Sequence, residues 1–238
     1  HHLLLVVGAA LFLYATACGL GITHDSRQYL AAAHSLLQNG TLRTADGATY
    51  AHWPPLYPAW LAVWGAAETV KYAHLAVWLV TLFLAQRFGQ KMLKTPFAQM
   101  FFLLTLVFGT PLFLVQVFVW SEGLFVLLTV LVFVFFRKFT ETAQKKYLFW
   151  MLLFSNLVCL QRLTGMFFVV GFGLLLWQTK RNVKLTLVYV SVSLVSVALW
   201  MLRNTCVEAE PSFVGDLFVV GPLVSVTNHL AAIGNWFV

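Results

Sequence analysis

Few residues in this chain could carry chemistry, and most of them stand at the ends of apolar stretches. Asp25 comes first, in "THDSRQYLAAAHSLLQNG" (23–40), which follows the apolar run Leu3 to Ile22 without a linker. A carboxylate held there could take the proton of a hydroxyl at a membrane surface, as a general base does. The same aspartate also suits a helix N-cap, because Asp25-x-x-Gln28 resembles a capping box. His24 beside it could bind a metal, tune that carboxylate, or be no more than a polar neighbour. Glu122, in "VWSEGLF", is the second acid. Ser121 as an N-cap and Glu122 in the first turn would account for that pair by capping and the helix dipole alone.

Three cations complete the set. Arg162, in "CLQRLTGMFF", interrupts a run from 147 to 178 that is otherwise nearly all apolar. Snorkelling is the bland account of such an arginine, yet ionisable residues within a membrane are functional candidates by default. Arg203, in "LWMLRNTC", stands at the end of another apolar stretch, where it would favour a helix C-terminus. Two guanidinium groups at one depth also suit a phosphate or diphosphate, whose oxygens they pair in a bidentate way. Lys71 is a weaker third candidate. His52, Trp53 and Tyr57 flank Pro54-Pro55; aromatic residues at an interface are usually belt anchors, with sugar stacking the minority role. "NGT" at Asn39–Thr41 matches the N-glycosylation acceptor pattern, a weak signal.

The elements that must position these residues follow from composition. The chain has 238 residues, 61% of them hydrophobic and 10% charged. A soluble domain carries about 25% charged residues, so a polytopic membrane protein is indicated. Seven stretches approach the length of a span: 3–22, 70–86, 97–117, 121–136, 147–161, 164–178 and 184–202. The loops 86–94, 137–146 and 180–184 hold ten of the fifteen Lys and Arg and one acid, Glu141. Placed in the cytoplasm by the positive-inside rule, they give a topology that closes without conflict. Seven of the eight acids (Asp25, Asp46, Glu68, Glu122, Glu208, Glu210, Asp216) then lie on the far side with Arg27, Arg43, Lys71, Arg162 and Arg203.

The far face has one long early loop, 23–69. Tyr29, Leu30, Ala33, Leu36 and Leu37 share a face of an amphipathic helix that ends at Gly40, a helix of the kind that lies in the interface plane. "LYPAWLAVWG" is too short to span and reads as a second interfacial or partly inserted helix after the stiff Pro-Pro entry. The excess of basic residues follows from the loops and does not argue for nucleic acid. Cys18 and Cys159 fall in apolar segments and Cys206 in a loop; three cysteines make no disulfide framework. No P-loop, dinucleotide fingerprint, zincin motif or nucleophile elbow is present in the sequence. The stretch 3–22 lacks the basic n-region and cleavage site of a signal peptide.

In order and spacing, "HDSRQYLAAAHSLLQNG", "HWPPLYPAWLAV", "WSEGLF", "QRLTGMFF" and "LWMLRN" resemble the GT-C superfamily of polytopic glycosyltransferases. The resemblance is to the bacterial dolichyl-phosphate-mannose–protein mannosyltransferase-like (family 39-like) group, and it covers residues 20–205. It implies an all-α fold of about seven transmembrane helices, with two juxtamembrane helices in the first outer loop. That module would occupy 1–205, followed by an outer loop and the start of a further region at 206–238. Asp25 would match the family's catalytic aspartate, with Glu122 the nearest second acid. Arg162, Arg203 and Lys71 would face a donor phosphate, and His24, Tyr29, His52, Tyr57 and Asn204 would line the substrate groove. No cofactor is certain, and a divalent metal is left open because relatives differ.

The implied reaction moves a sugar, with inversion, from a polyprenyl-phosphate donor to a hydroxyl of a glycan, lipid or protein. It would take place at the periplasmic or extracellular face of a bacterial inner membrane. Relatives continue into further C-terminal spans or an outer domain, which leaves a continuation beyond Val238 open, and partner membrane proteins with it. A non-catalytic subunit that binds lipid or scaffolds a complex is the competing expectation. A transporter ranks below both, because its ionisable groups should lie at mid-bilayer.

Overall fold

The first apolar run is longer than the helix it forms. The computed structural model describes residues 2–65 and 67–207, and in it helix α1 spans His2–Ala15. Past its end, the Thr16 hydroxyl donates to the carbonyl of Phe12 (2.7 Å), and Gly19 turns the chain at φ +106°, a conformation glycine adopts freely. Gly21 then makes a parallel bridge: its N–H donates to Val117 O (2.8 Å) and its carbonyl accepts from Val119 N (3.0 Å). A Cβ at this position would meet the Phe118 ring at 2.4 Å, so this close approach requires glycine. What reads as a single span over 3–22 is thus a helix of 14 residues and a tether.

Helix α2 (His24–Asn39) starts at Thr23, and here the structure corrects the cap expected at Asp25. Thr23 and Ser26 form the capping box. Ser26 N–H donates to Thr23 Oγ1 (3.4 Å), and Thr23 N–H donates to Ser26 Oγ (2.9 Å). Gly40 closes the helix in the left-handed conformation (φ 65°), as the sequence predicts. Helix α3 (Leu56–Trp64) follows the Pro-Pro pair and packs on α2, with the Tyr29 and Tyr57 rings edge to face at 5.0 Å. On α2 the buried face is Ser26, Tyr29, Ala32 and Ala33, while Leu37 is exposed.

The remaining helices are α4 (Ala67–Met92), α5 (Pro96–Phe108), α6 (Thr110–Val117), α7 (Glu122–Thr142), α8 (Lys145–Gln161), α9 (Gly165–Lys180) and α10 (Val183–Val207). By length and composition, α4, α7 and α10 can each cross a membrane. A fourth crossing is available if α5 and α6, bent by 44° at Gly109, count as one span. The count of seven is corrected accordingly, to three or up to four. Helices α1, α8 and α9 have 14, 17 and 16 residues, short of the ~20 that a span needs. Tight turns at residues 162–164 and the basic pairs Lys145-Lys146 and Lys180-Arg181 cut the last two short.

Two clusters form the core. The larger joins α2, α3 and α7 to α10, and the smaller packs α1 against α4 and α5 around Phe12, Trp78, Leu82 and Leu103. Outside them, helices present wide apolar faces; on α10, Leu187, Val195, Leu199 and Leu202 are each at least half exposed. Such a surface suits lipid rather than water. Between α8 and α10, Ser155 Oγ meets Tyr189 OH (2.7 Å), and Asn156 Nδ2 donates to Val192 O (3.2 Å).

The bundle has two chemically distinct ends. At one, Arg137 Nη1 donates to Met92 Sδ (2.8 Å), Arg137 pairs with Glu141 (2.6 Å), and Lys180 Nζ donates to Thr140 O (2.9 Å). These contacts gather residues from all three basic loops. At the other end the first loop meets the starts of α7 and α9 and the end of α10. Cys18 lies in an exposed turn, and Cys206, expected in a loop, is an exposed residue of α10. Glu208, Glu210, Asp216, the rest of 206–238 beyond Val207, and the side chain of Glu68 lie outside the described residues.

Candidate functional site

Residues 162–164 turn the chain sharply from α8 into α9. Arg162 is the C-cap of α8 in extended conformation, and its carbonyl accepts from Gly165 N (2.8 Å). A Cβ at Gly165 would fall 2.6 Å from the carbonyl oxygen of Val158, so the R-x-x-G spacing lets α9 start directly against the end of α8. The turn aims Arg162 across the bundle at α7. Its Nη1 lies 2.5 Å from Glu122 Oε1 and donates to Ser121 Oγ at 2.9 Å. Beside it, Gln161 Nε2 donates to the carbonyl of Ser121 (2.8 Å). Ser121 occupies the N-cap position of α7 but makes no side-chain capping bond. Its hydroxyl serves Arg162 instead, and Tyr29 of α2 hydrogen-bonds it as well.

A cavity of about 480 Å³ opens beside this network. Tyr29, the segment His52-Trp53-Pro54, Ser121, Gln161 and Arg162 line one side. Leu163, Thr164, Met166, Phe167 and Met201 give it a largely apolar remainder. The Tyr29 phenol is held protonated above the ordinary tyrosine range, chiefly by burial, with the Ser121 hydrogen bond and Arg162 pulling the other way. It is therefore a neutral donor over the working pH range. Gln161 is buried and its Oε1 has no hydrogen-bond partner among the described residues.

Asp25 stands one helical turn before Tyr29 on the same face of α2, and it is exposed. One turn from the lining Tyr29, exposed, and not itself among the lining residues, it stands at the rim of the cavity. The rim is fixed by a bond that links distant parts of the chain. Trp120 Nε1 donates to Thr23 Oγ1 (2.9 Å), tying the start of α2 to the start of α7. With the Gly21 bridge, two tethers just before Asp25 join the segment that leads into α2 to the segment that leads into Glu122.

Of the residues singled out in the sequence, Tyr29, His52 and Arg162 line the cavity, and Glu122 joins them through Arg162. His52 packs edge to face on Trp53 at 4.5 Å. Tyr57 does not reach the groove: it is 1% exposed, and its hydroxyl meets His74 Nε2 at 3.0 Å. His74 Nδ1 lies 3.1 Å from the carbonyl of Gln116. Because a carbonyl can only accept, Nδ1 carries the proton and Nε2 accepts from Tyr57. His74, buried and unremarked in the sequence, thus locks α3 and α6 onto α4.

Arg203 and Asn204 act from beneath the cavity wall. Arg203 Nη1 donates to Tyr50 O (3.0 Å) and to Asn204 Oδ1 (3.0 Å), and its guanidinium stacks 4.8 Å from the Trp200 ring centre. Asn204 Nδ2 donates to Ala51 O (2.8 Å). Together they hold the strip that presents His52 and Trp53. Lys71, half-buried on α4, and His24, exposed beside Asp25, are not among the lining residues. Sequence reading passed over Gln161 and read Ser121 as a cap; only their adjacency to Arg162 and Glu122 marks them. Among the described residues, no group of three or more His, Cys, Asp or Glu could hold a metal.

The site and fold define an all-α chain with apolar helices of membrane-crossing length and a charged cavity at one end of the bundle. No family model, curated protein or solved structure matches it.

Proposed function

We propose that the chain is a GT-C-like, family 39-like membrane glycosyltransferase that moves a sugar from a polyprenyl-phosphate donor to an acceptor hydroxyl, with inversion. The observation that supports this most is the cavity itself. It joins a guanidinium, a phenol and a hydroxyl to apolar walls at the end of the bundle, with a free-standing carboxylate at its rim. A lipid phosphate needs that combination of donors and greasy surface.

In this reading Asp25 takes the proton of the acceptor hydroxyl, whose oxygen attacks the anomeric carbon. The bond from that carbon to the phosphate oxygen breaks, and polyprenyl phosphate leaves with the electron pair. Arg162 counters the growing charge of the leaving phosphate, and the neutral Tyr29 and Ser121 hydroxyls donate to it. Glu122 holds Arg162 in place until the phosphate arrives. Arg203, two residues past the lining Met201, adds positive charge from the α10 side. Helices α4, α7 and α10, with α5–α6 as a bent fourth span, anchor the bundle in the membrane. The basic end faces the cytoplasm of a bacterial cell and the cavity faces outward.

A second reading, a lipid-binding subunit without catalysis, is favoured by one feature: the Arg162 charge is already matched by Glu122. Incubating purified protein with a panel of polyprenyl-phosphate sugars and following release of free polyprenyl phosphate separates the two. Consumption of one donor in the presence of an acceptor supports the enzyme. Binding of donors with no turnover for any member of the panel would leave only the subunit.

A further inference from the structure

The middle of α10 is made of weak helix formers. Residues 190–197 read VSVSLVSV, valine or serine at every position but one. Valine loses χ1 freedom against the preceding turn, and serine offers the backbone competing hydrogen bonds that bend helices. At this place a side chain of α8 enters the hydrogen-bond ladder. In a regular helix the N–H of Ser196 pairs with the carbonyl of Val192 alone. Here Asn156 bonds both groups: its Nδ2 donates to Val192 O (3.2 Å), and its Oδ1 accepts from Ser196 N (3.4 Å). Ser196 Oγ adds a bond to the Asn156 carbonyl (3.4 Å).

On either side of this rung, α10 is bonded to different parts of the protein. Before it, Tyr189 OH meets Ser155 Oγ of α8 (2.7 Å), and Val190 sits where a Cβ on Gly173 of α9 would touch it at 2.6 Å. Beyond it, among the described residues, the hydrogen bonds from α10 to other elements run to the first loop. Arg203 Nη1 donates to Tyr50 O and Asn204 Nδ2 to Ala51 O. The outer half therefore carries the strip that presents His52 and Trp53, and its own Met201 lines the same cavity. Val197, Trp200 and Met201 hold this half to the core by apolar packing, which is non-directional and tolerates sliding. Opening a rung inside a membrane is costly because the freed N–H and carbonyl find no water. The Asn156 amide already bonds both, so this rung can lengthen with neither left unpaired.

We propose that residues 192–196 form a hinge set by Asn156, about which the outer half of α10 and residues 50–53 move as one body and change the width of the cavity mouth. The inner half stays with α8 and α9. From Ser196 to Cys206 the helix extends about 15 Å, so a bend of about 20° displaces its end by about 5 Å. The device acts whichever ligand the cavity takes.

The native cysteines supply the test. Cys18 and Cys206 are exposed and Cys159 is buried, so nitroxide labels attach at the first two. Cys18 lies just before the Gly21 bridge, on the side held to the entry of α7, and Cys206 rides on the outer half of α10. Double electron–electron resonance on the full chain, frozen in lipid nanodiscs, gives two distances about 5 Å apart in wild type. Asn156→Leu leaves Ser196 only its own ladder partner and collapses the two distances to one. Asn156→Ala does the same, which guards against a packing defect in the leucine variant. Ser196→Pro, which deletes the N–H, enriches the bent population. In a Cys206→Ser, His52→Cys chain, the pair 18–52 also shows two distances, and Asn156→Leu again leaves one. The hinge is overturned by a single distance in wild type, by distributions that both Asn156 variants leave unchanged, or by broader distributions in both, which would make Asn156 a clamp. Two distances for the pair 18–206 with one for the pair 18–52 would overturn the joint movement of helix and strip.

Discussion

Thr23 carries two loads, and replacing it by alanine removes both without touching Asp25. Its hydroxyl oxygen accepts from Ser26 N in the capping box and from Trp120 Nε1 at 2.9 Å. Loss of an N-cap of this kind costs about 1 kcal/mol. Losing the acceptor of the half-buried indole N–H adds about 1 kcal/mol, the lower end of the range, because water can reach the site. The sum, about 2 kcal/mol, corresponds to a fall of roughly 4–8 °C in the unfolding midpoint for a chain of this size. Thr23→Ser keeps the hydroxyl and leaves the midpoint unchanged. The assay is thermal unfolding in one detergent, with amide exchange of residues 24–28 followed alongside. Trp120→Phe separates the two loads: in that background Thr23→Ala costs only the cap, about 1 kcal/mol. Equal midpoints for Thr23→Ala and wild type, with unchanged exchange at the start of α2, would refute the idea that this bond fixes the rim of the cavity.

Three further outcomes follow from the same geometry. Tyr50 is fully buried and its hydroxyl has no partner among the described residues, so Tyr50→Phe raises stability by about 1 kcal/mol in the same unfolding assay; a fall contradicts it. Gly165→Ala places a Cβ 2.6 Å from a backbone carbonyl that cannot retreat, and lowers stability by about 1–3 kcal/mol; an unchanged midpoint would show that α8 and α9 do not cross so closely. Burial raises the phenol pKa of Tyr29, Tyr50 and Tyr57. The unfolded chain loses those protons near pH 10 while the folded one retains them, so their contribution is complete below about pH 10 and is lost as pH rises further. Stability measured from pH 8 to 12 therefore declines above 10, and a flat profile would contradict the burial of these rings.

What could be read in the residues was mostly local. The amphipathic face of α2, the glycine that ends it and the short helix after Pro54-Pro55 follow from periodicity and turn chemistry, and the structure has them. The basic loops do gather at one end. Span lengths were less legible, because hydropathy does not reveal where a hydroxyl or a glycine ends a helix. Leu3 to Ile22 is apolar throughout, yet Thr16 and Gly19 stop α1 at Ala15. The cap of α2 was misplaced by two residues because Thr23 and Asp25 are both good caps, and the choice falls to a tryptophan 97 residues away. Long-range partners of this sort have no local signature. For that reason Arg162 and Glu122 stood out singly as charges, while their pairing, and the roles of Ser121, Gln161 and His74, emerged only from the fold.

The central claim is that Asp25, held at the rim of the Arg162 cavity, is the base in sugar transfer. The most direct measurement is the turnover of Asp25→Asn protein with the polyprenyl-phosphate sugar that wild type accepts, at matched membrane insertion and unfolding midpoint. Because Thr23, not Asp25, caps α2, this variant stays folded, and the account predicts that transfer is nearly abolished while donor binding persists. Turnover close to that of wild type would contradict it.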